Sequence, residues 1–268
     1  MGYASFHNQE ASEPRELTSG GLSESKAIAK IYGYMGIGLL ITGVIAFFGA
    51  WLFSSQINAW LGADGFLIPE KISVSQTWTI ILFGSWIVSF IGLLVLSFVI
   101  PIKAARGSGS LWVPYILYSV FMGILLTAVL LAGIPFWMIG EAFGITTLAF
   151  GAMFALGWFS KKDLSILAYI AMFILFAVLI TAIVGTITFL VRGSTANQRF
   201  WLDMGISGAM VLVIMLITAV DTWRIKKICS KAGASTNLYL YCAYVMYTDF
   251  ITLLLRILYI IARAQGRK

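Results

Sequence analysis

Two aspartates lie in or beside long apolar runs, where carboxylates are rare. Asp221 follows the run in "MLITAVDTWRIKKI", and Asp249 lies in "YTDFITLLLRIL", inside a run from Leu238 to Ala262. A charge at the centre of a bilayer costs roughly 2.5–3.5 kcal/mol by the lower values, so such residues usually face a protein interior or a wet cavity. Asp221 and Asp249 are therefore candidates for ion or proton chemistry.

The chemistry depends on whether the two carboxylates meet. In a low-dielectric pocket both could not readily ionise, so the pair would share a proton. Oxygen ligands, with carboxylates supplying charge, also bind Ca²⁺, so protons and Ca²⁺ would compete for Asp221 and Asp249. In the alternative reading, Asp221 is solvated beside Arg224 and Lys226, and Asp249 only ties helices together through Thr or Tyr.

The helix that carries Asp249 has a polar face. Asp249, Thr252, Arg256, Tyr259 and Arg263 follow one another at spacings of three, four, three and four, which places them on one stripe. Asp249 and Arg256 are two turns apart, roughly 10 Å along the axis, which is too far for a direct hydrogen bond. The partner of Asp249 is therefore expected on another helix.

A depth comparison brings the aspartates to similar levels. Residues Met204 to Val220 number about 17, the lower limit for a span, so Asp221 belongs to the cytoplasmic turn of its segment. Asp249 lies one or two turns deeper than the aromatic cluster that begins at Tyr239. The sequence predicts similar depths without establishing contact.

The composition is that of a polytopic membrane protein. Hydrophobic residues make up 60% of the 268 residues and charged residues 11%, against about a quarter charged in soluble domains. The net charge of +7 comes from short basic clusters between apolar runs, a topology signal rather than a nucleic-acid surface. Cys229 and Cys242 show no metal-ligand spacing.

The predicted architecture is all-α, with seven transmembrane helices. Residues 1–27 are predicted as a disordered polar tail and 28–268 as the membrane domain, with an exposed turn at Asp64-Gly65. Gly36, Gly43 and similar small residues in "YMGIGLLITGVIAFFGA" suit close helix packing, and Pro135 separates the third and fourth helices. The predicted spans are Ile31 to Phe53, Trp78 to Ile102, Leu111 to Gly133, Met138 to Phe159, Leu164 to Val191, Met204 to Trp223 and Leu238 to Ala262.

Lysine and arginine counts in alternate loops predict a cytoplasmic amino terminus. The basic carboxy terminus falls on the far side and disagrees with this scheme. One side carries Arg15, Lys26, Lys30, Lys103, Arg106, Lys161, Lys162, Arg224, Lys226, Lys227 and Lys231, and the other carries Lys71, Arg192, Arg199, Arg263, Arg267 and Lys268.

Two further acids have simpler readings. Glu141 lies at the outer mouth of the fourth helix, where it either attracts cations or is an interfacial acid near a helix amino end. We therefore include Glu141 with Thr252 and Arg256 as candidate pathway residues. Asp163, in "SKKDLS", is predicted to cap the fifth helix.

Enzymatic activity is not expected. The "GISG" motif from Gly205 to Gly208 is typical of intramembrane serine proteases, but the only histidine, His7, lies in the tail, so a serine would lack that base. Neither aspartate has the Gly-x-Gly-Asp context of intramembrane aspartyl proteases. No HExxH, phosphate loop or cofactor motif is present, and no cofactor is expected.

Three stretches together resemble the transmembrane Bax inhibitor motif family: "GEAFGITTLAFGAMFALGWFSKKDLS" (Gly140 to Ser165), "ITAVDTWRIKK" and "YTDFITLL". The resemblance implies seven helices with the last surrounded by the other six. It also implies a calcium leak gated by pH through paired aspartates on helices six and seven, which match Asp221 and Asp249.

The resemblance is incomplete at two basic positions. Arg256 follows the aspartate sooner than in the family pattern, so no role is transferred to it. Some bacterial members latch the aspartates with an arginine at the cytoplasmic end of the second helix, where Lys103 or Arg106 could serve here.

The sequence therefore predicts a multi-pass membrane protein, of the cell membrane if bacterial, that conducts Ca²⁺ passively through an Asp221–Asp249 gate. The lipid bilayer and Ca²⁺, transported or held by these aspartates, are the expected partners, and nucleic acid is not. The alternative is a membrane interaction protein that regulates a membrane protease or a stress or cell-death pathway without transport.

Overall fold

Seven long α-helices make up the chain in the computed structural model, which describes residues 19–57, 76–107, 109–131, 134–193, 195–229 and 236–265. All seven are long and apolar enough to cross a membrane, which confirms the predicted architecture. The helices are α1 (Ser19–Ile57), α2 (Gln76–Arg106), α3 (Trp112–Leu131), α4 (Phe136–Phe159), α5 (Ser165–Arg192), α6 (Ala196–Cys229) and α7 (Thr236–Gln265).

Most helices extend beyond the predicted spans. Helix α1 begins at Ser19, inside the segment predicted as a polar tail, and α6 continues from Ala196 to Cys229. An apolar stretch ends at the first charges, whereas backbone hydrogen bonding continues through them into the interface. Residues 1–18 and the turn predicted at Asp64-Gly65 lie outside the described residues.

Pro135 separates α3 from α4, as predicted. Helix α3 ends at Leu131, and Pro135 is the N-cap of α4, with φ −61° and ψ 145°. Proline suits this position because the first amides of a helix have no intrahelical acceptor. The carbonyl of Pro135 accepts hydrogen bonds from the amides of Met138 and Ile139 at 3.0 and 3.3 Å.

Helix α7 lies at the centre of the bundle. It packs against α1, α2, α3, α4 and α6, while α5 packs against α6 on the outer side. Tyr247 of α7 is fully buried, whereas Phe173 and Leu190 of α5 are 76% and 79% exposed, as lipid-facing side chains are. The predicted central position of the last helix is confirmed, with α5 the member of the surround that lies farthest out.

Close packing of α1 on α3 depends on some of the small residues predicted for it and not on others. Around Gly36 and Gly43, a Cβ atom would meet nothing within 4 Å, so the packing role predicted for them is wrong. At Gly123 a Cβ would lie 2.9 Å from the Thr42 carbonyl oxygen, and at Gly38 it would overlap the Tyr115 side chain. Small residues let these two helices approach where the backbones cross, not wherever glycine occurs.

The start of α7 is fixed to the link between α2 and α3. Asn237 donates from Nδ2 to the Gly109 carbonyl at 2.6 Å and accepts at Oδ1 from the Leu111 amide at 3.3 Å. We call this end of the molecule, where α1, α3, α5 and α7 begin, the amino-terminal end of the bundle.

Candidate ion site

Asp221 lies on α6, two turns before the helix ends at Cys229. Its Oδ1 atom is 3.2 Å from Nη1 of Arg224, one turn further along the same helix face. The Asp221 side chain is 16% exposed, whereas that of Arg224 is 58% exposed. The structure therefore gives Asp221 a cationic partner on its own helix.

Asp249 lies near the middle of α7 and faces α6. It is near enough to Asp221 for the two charges to interact, and near enough to Thr218 of α6 for a side-chain hydrogen bond. Its Oδ2 atom is buried and has no hydrogen-bond partner among the described residues. A buried carboxylate oxygen without a donor is costly, so this position favours a proton or a cation.

The Thr218 hydroxyl constrains the hydrogen bond to Asp249. Thr218 Oγ1 donates to the Ile214 carbonyl at 2.9 Å, and the residue is completely buried. A hydroxyl has one proton and two acceptor lone pairs, so with its proton on Ile214 it can only accept from Asp249. A protonated Asp249 has a proton to donate to Thr218, whereas an ionised Asp249 has none.

A hydroxyl network holds the same stretch of α7 against α1 and α3. Tyr247 Oη and Thr42 Oγ1 are 2.6 Å apart, and Thr42 Oγ1 also donates to the Ser119 carbonyl at 3.0 Å. Tyr115 Oη donates to the Tyr34 carbonyl at 2.7 Å. The buried contact between Thr42 and Tyr247 lies two residues before Asp249 and fixes the rotation of α7 about its axis.

Tyrosines extend the site toward the amino-terminal end of the bundle. Tyr241 lies within electrostatic range of Asp221. The ring of Tyr118 on α3 packs edge-on against that of Tyr244, with centroids 4.9 Å apart. The Asp221–Asp249 pair therefore lies beside an aromatic cluster rather than among aliphatic side chains alone.

The candidate latch residues, Lys103 and Arg106, do not contact the aspartate pair among the described residues. Lys103 Nζ, in the last turn of α2, donates to the Ser110 carbonyl at 3.2 Å, and Arg106 is exposed at the end of that helix. Neither forms an ion pair with Asp221 or Asp249 among the described residues. The cation that the structure places on Asp221 is Arg224.

The candidate pathway residues occupy separate positions. Thr252, one turn beyond Asp249, donates to the Thr248 carbonyl at 2.7 Å. Arg256 is half-buried on α7, and Glu141 is exposed on α4. At the far end of α7, Arg263 Nη2 lies 3.4 Å from Asp203 Oδ2 of α6. These contacts place Thr252 and Arg256 on α7 between the aspartate pair and the Arg263–Asp203 ion pair.

The aspartate pair by itself offers few ligands for a metal ion. Within the described ranges, no group of three or more His, Cys, Asp or Glu side chains is placed to hold a metal ion. Ca²⁺ normally takes six to eight oxygen ligands, and its affinity rises with the number of charged ones. Two carboxylates and a hydroxyl suit brief occupation by a passing cation better than permanent binding.

Asp163 hydrogen-bonds to the start of α5, but it lies one residue before the N-cap position rather than at it. Leu164 is the N-cap residue, and Asp163 Oδ1 accepts from the Ser165 amide at 2.9 Å and from its hydroxyl at 2.7 Å. These hydrogen bonds to Ser165 hold the pKa of Asp163 below its usual value. The acid therefore stabilises the helix start as a carboxylate.

Four residues of the site were not predicted in the roles that they have in the structure. Arg224 and Thr218 share the face of Asp221 at spacings of three, a signal that marked them as neighbours without assigning a pairing. The hydrogen bond between Thr42 and Tyr247 joins residues 205 positions apart in the chain, and the sequence around either residue does not indicate it.

Comparisons with known proteins agree with this architecture. Residues 24–266 match the family model described as "Inhibitor of apoptosis-promoting Bax1". The inner membrane protein YbhL of Escherichia coli (strain K12) is 26% identical over 241 residues, covering 86% of this chain and 88% of that protein. The corresponding YbhL of Escherichia coli O6:H1 gives the same values. Because the family model spans nearly all of the seven-helix domain, the chain belongs to the Bax inhibitor family and is a multi-pass integral membrane protein.

Proposed function

We propose that the protein is a pH-sensitive passive Ca²⁺ leak channel in which Asp221 and Asp249 form the gate. The proposed path follows the polar face of α7, from the aspartate pair through Thr252 and Arg256 toward the opposite end of the bundle. Glu141, exposed near the start of α4, would collect cations at that end.

The observation that carries the proposal is the buried Oδ2 atom of Asp249. It has no donor among the described residues and lies within electrostatic range of a second carboxylate. Simple helix bridging by Asp249 would instead satisfy both carboxylate oxygens. A site that requires an external positive charge at membrane depth suits ion passage.

Protons and Ca²⁺ compete for this pair in the proposed mechanism. A protonated Asp249 donates to Thr218 and leaves the pair with too little negative charge to bind a divalent cation. A deprotonated pair binds Ca²⁺ weakly and releases it along the polar face of α7. We therefore expect Ca²⁺ flux to fall as the pH falls through the titration of the pair.

We also propose that the amino-terminal end of the bundle faces the cytoplasm. The basic residues at that end, against the few at the other, follow the positive-inside rule. The described ones are Lys26, Lys30, Lys103, Arg106, Lys161, Lys162, Arg224, Lys226 and Lys227. This orientation puts Asp221 in the cytoplasmic half of the membrane.

The test is Ca²⁺ entry into liposomes that contain the purified protein, followed with an encapsulated dye across a pH series. We expect entry above that of protein-free liposomes, decreasing toward acidic pH. Absence of entry at every pH would contradict the proposal and favour the alternative, a membrane interaction protein whose aspartates are structural.

A further inference from the structure

A groove runs between α5 and α6 at the amino-terminal end of the bundle. Its volume is about 410 Å³. Its walls are mainly apolar or aromatic, and its one charged side chain among the described residues is a guanidinium. The lining residues are Ser165, Ala168, Tyr169, Met172, Phe173, Phe176 and Arg224.

Arg224 belongs both to this groove and to the aspartate pair. It lines the groove and also lies 3.2 Å from Asp221 Oδ1. Its side chain is 58% exposed, so most of its five N–H donors remain available on the groove side. A ligand in the groove would therefore contact the same guanidinium that neutralises Asp221.

The shape and charge of the groove fit a phospholipid. Tyr169 and Phe173 are 68% and 76% exposed on the lipid side of α5, where an acyl chain would lie. Exposed Lys161 and Lys162 precede α5, and Lys227 of α6 is close enough to Asp163 for their charges to interact. This excess of cations beside the start of α5, where Ser165 lines the groove, favours a headgroup with net negative charge.

We propose that the α5–α6 groove binds an anionic phospholipid whose phosphate engages Arg224 and draws this guanidinium away from Asp221. Arginine binds a phosphate group through two parallel hydrogen bonds, whereas Arg224 makes a single contact with Oδ1 of Asp221. The phosphate is therefore the stronger partner for this guanidinium. Loss of the Arg224 contact leaves Asp221 Oδ1 without the guanidinium that competes with a cation for it. This regulatory step rests on the proposed leak activity, whereas the lipid site itself does not.

Lipid binding is measured without Ca²⁺, by native mass spectrometry of the full chain released from nanodiscs that contain equal phosphatidylglycerol and phosphatidylcholine. We expect preferential retention of phosphatidylglycerol, reduced about fivefold by Arg224→Gln. The matched control is Arg263→Gln, which breaks the other described ion pair, at the opposite end of α7. Equal retention by the two variants, or no preference between the lipids, would overturn the proposal.

A second pair of variants fills the groove and keeps its charges. Ala168→Phe occupies the groove, whereas Ala177→Phe adds the same ring at an exposed position of α5 outside it. We expect Ala168→Phe alone to lose phosphatidylglycerol. Equal loss in both, or loss in neither, would contradict the site. Soluble inorganic phosphate should not displace the lipid, and its doing so would assign the site to a free anion.

Flux then tests the regulatory step. In liposomes, we expect Ca²⁺ entry to rise with the phosphatidylglycerol fraction for the wild type and for Arg199→Gln, an exposed position in the first turn of α6 away from the groove and the proposed path, but not for Arg224→Gln. If phosphatidylglycerol is retained but Ca²⁺ entry does not depend on its fraction, the proposed regulation is contradicted, whereas the proposed lipid site is not. Absence of entry under all conditions would reject the leak activity, and the lipid counts would still decide the site.

Discussion

Arg224 lies 3.2 Å from Asp221 on α6, and the aspartate is the less exposed member of this pair. The contact spans one helical turn, so it forms without any movement of neighbouring helices. Asp249, on α7, is within reach of the charge on Asp221. Replacements of these residues therefore separate the local ion pair from the interaction between helices.

Removal of the guanidinium should raise Ca²⁺ entry. In Arg224→Gln, Asp221 loses its described cationic partner, and Ca²⁺ no longer competes with an arginine for it. We expect an increase of about fivefold, in keeping with one partly exposed charge contact. Arg199→Gln, at an exposed position in the first turn of α6, is the control in the same liposome assay, and an equal increase in both variants would show a general effect of arginine loss.

The Thr42–Tyr247 hydrogen bond should contribute to stability. Tyr247→Phe removes the hydroxyl that lies 2.6 Å from Thr42 Oγ1 but leaves the Thr42 bond to Ser119. We expect the free energy of unfolding to fall by about 1 kcal/mol. Denaturant unfolding in mixed micelles measures this change. Tyr259→Phe, at an exposed position of the same helix, is the control and should leave the stability unchanged.

The approach of α4 to α6 should tolerate no side chain at Gly157. A Cβ there would overlap the Ala219 carbonyl oxygen and lie 2.7 Å from the Thr222 Cβ. Gly157→Ala should therefore destabilise the protein by about 1–3 kcal/mol, through separation of the two helices. Gly151→Ala on the same helix meets nothing within 4 Å and is the matched control. Similar unfolding midpoints for the two variants would show that α4 and α6 are not in close contact.

The Asp163 cap should weaken in acid. Hydrogen bonds from Ser165 lower the pKa of Asp163 in the folded protein. The contribution of this carboxylate to stability is therefore fully present at pH above its pKa in the unfolded chain. It is lost as the pH falls through the pKa of Asp163 in the folded protein. The protection of the Ser165 amide from proton exchange, taken as the measured rate relative to the intrinsic rate at the same pH, measures the loss when neutral pH is compared with pH below about 3.9. Asp163→Ala should show faster exchange already at neutral pH. Asp163→Asn keeps an acceptor oxygen, so its exchange rate should lie between those of the wild type and Asp163→Ala. Equal exchange in all three proteins at neutral pH would contradict the cap.

The apolar runs predict the seven helices well because length and hydrophobicity alone decide whether a segment spans a bilayer. The helix ends are less predictable: α6 continues past Asp221 to Cys229 because the charges at its end remain helical in the interface. The spacing of Thr218, Asp221 and Arg224 places them on one helix face. This spacing cannot distinguish an Asp221–Arg224 pair that faces Asp249 from an Asp221–Arg224 pair that is solvated at the surface.

Contacts between distant segments were beyond sequence reasoning. Gly36 and Gly43 look as suitable for helix packing as Gly38, and only the crossing point of α1 and α3 distinguishes them. The buried Oδ2 atom of Asp249, which has no hydrogen-bond donor among the described residues, likewise depends on how the other helices pack around α7. Rotation about a helix axis is set by such packing and leaves no local sequence signal.

The central claim is that Asp249 gates Ca²⁺ entry by exchanging a proton for a cation. Its most direct test is the pH profile of Ca²⁺ entry into liposomes for Asp249→Asn, beside Asp203→Asn as a control acid in the Arg263 ion pair. We predict that Asp249→Asn lowers entry by at least about tenfold, a loss of ~1.4 kcal/mol, and flattens its pH dependence, while Asp203→Asn keeps the wild-type profile. An unchanged amplitude and pH profile in Asp249→Asn would contradict the account.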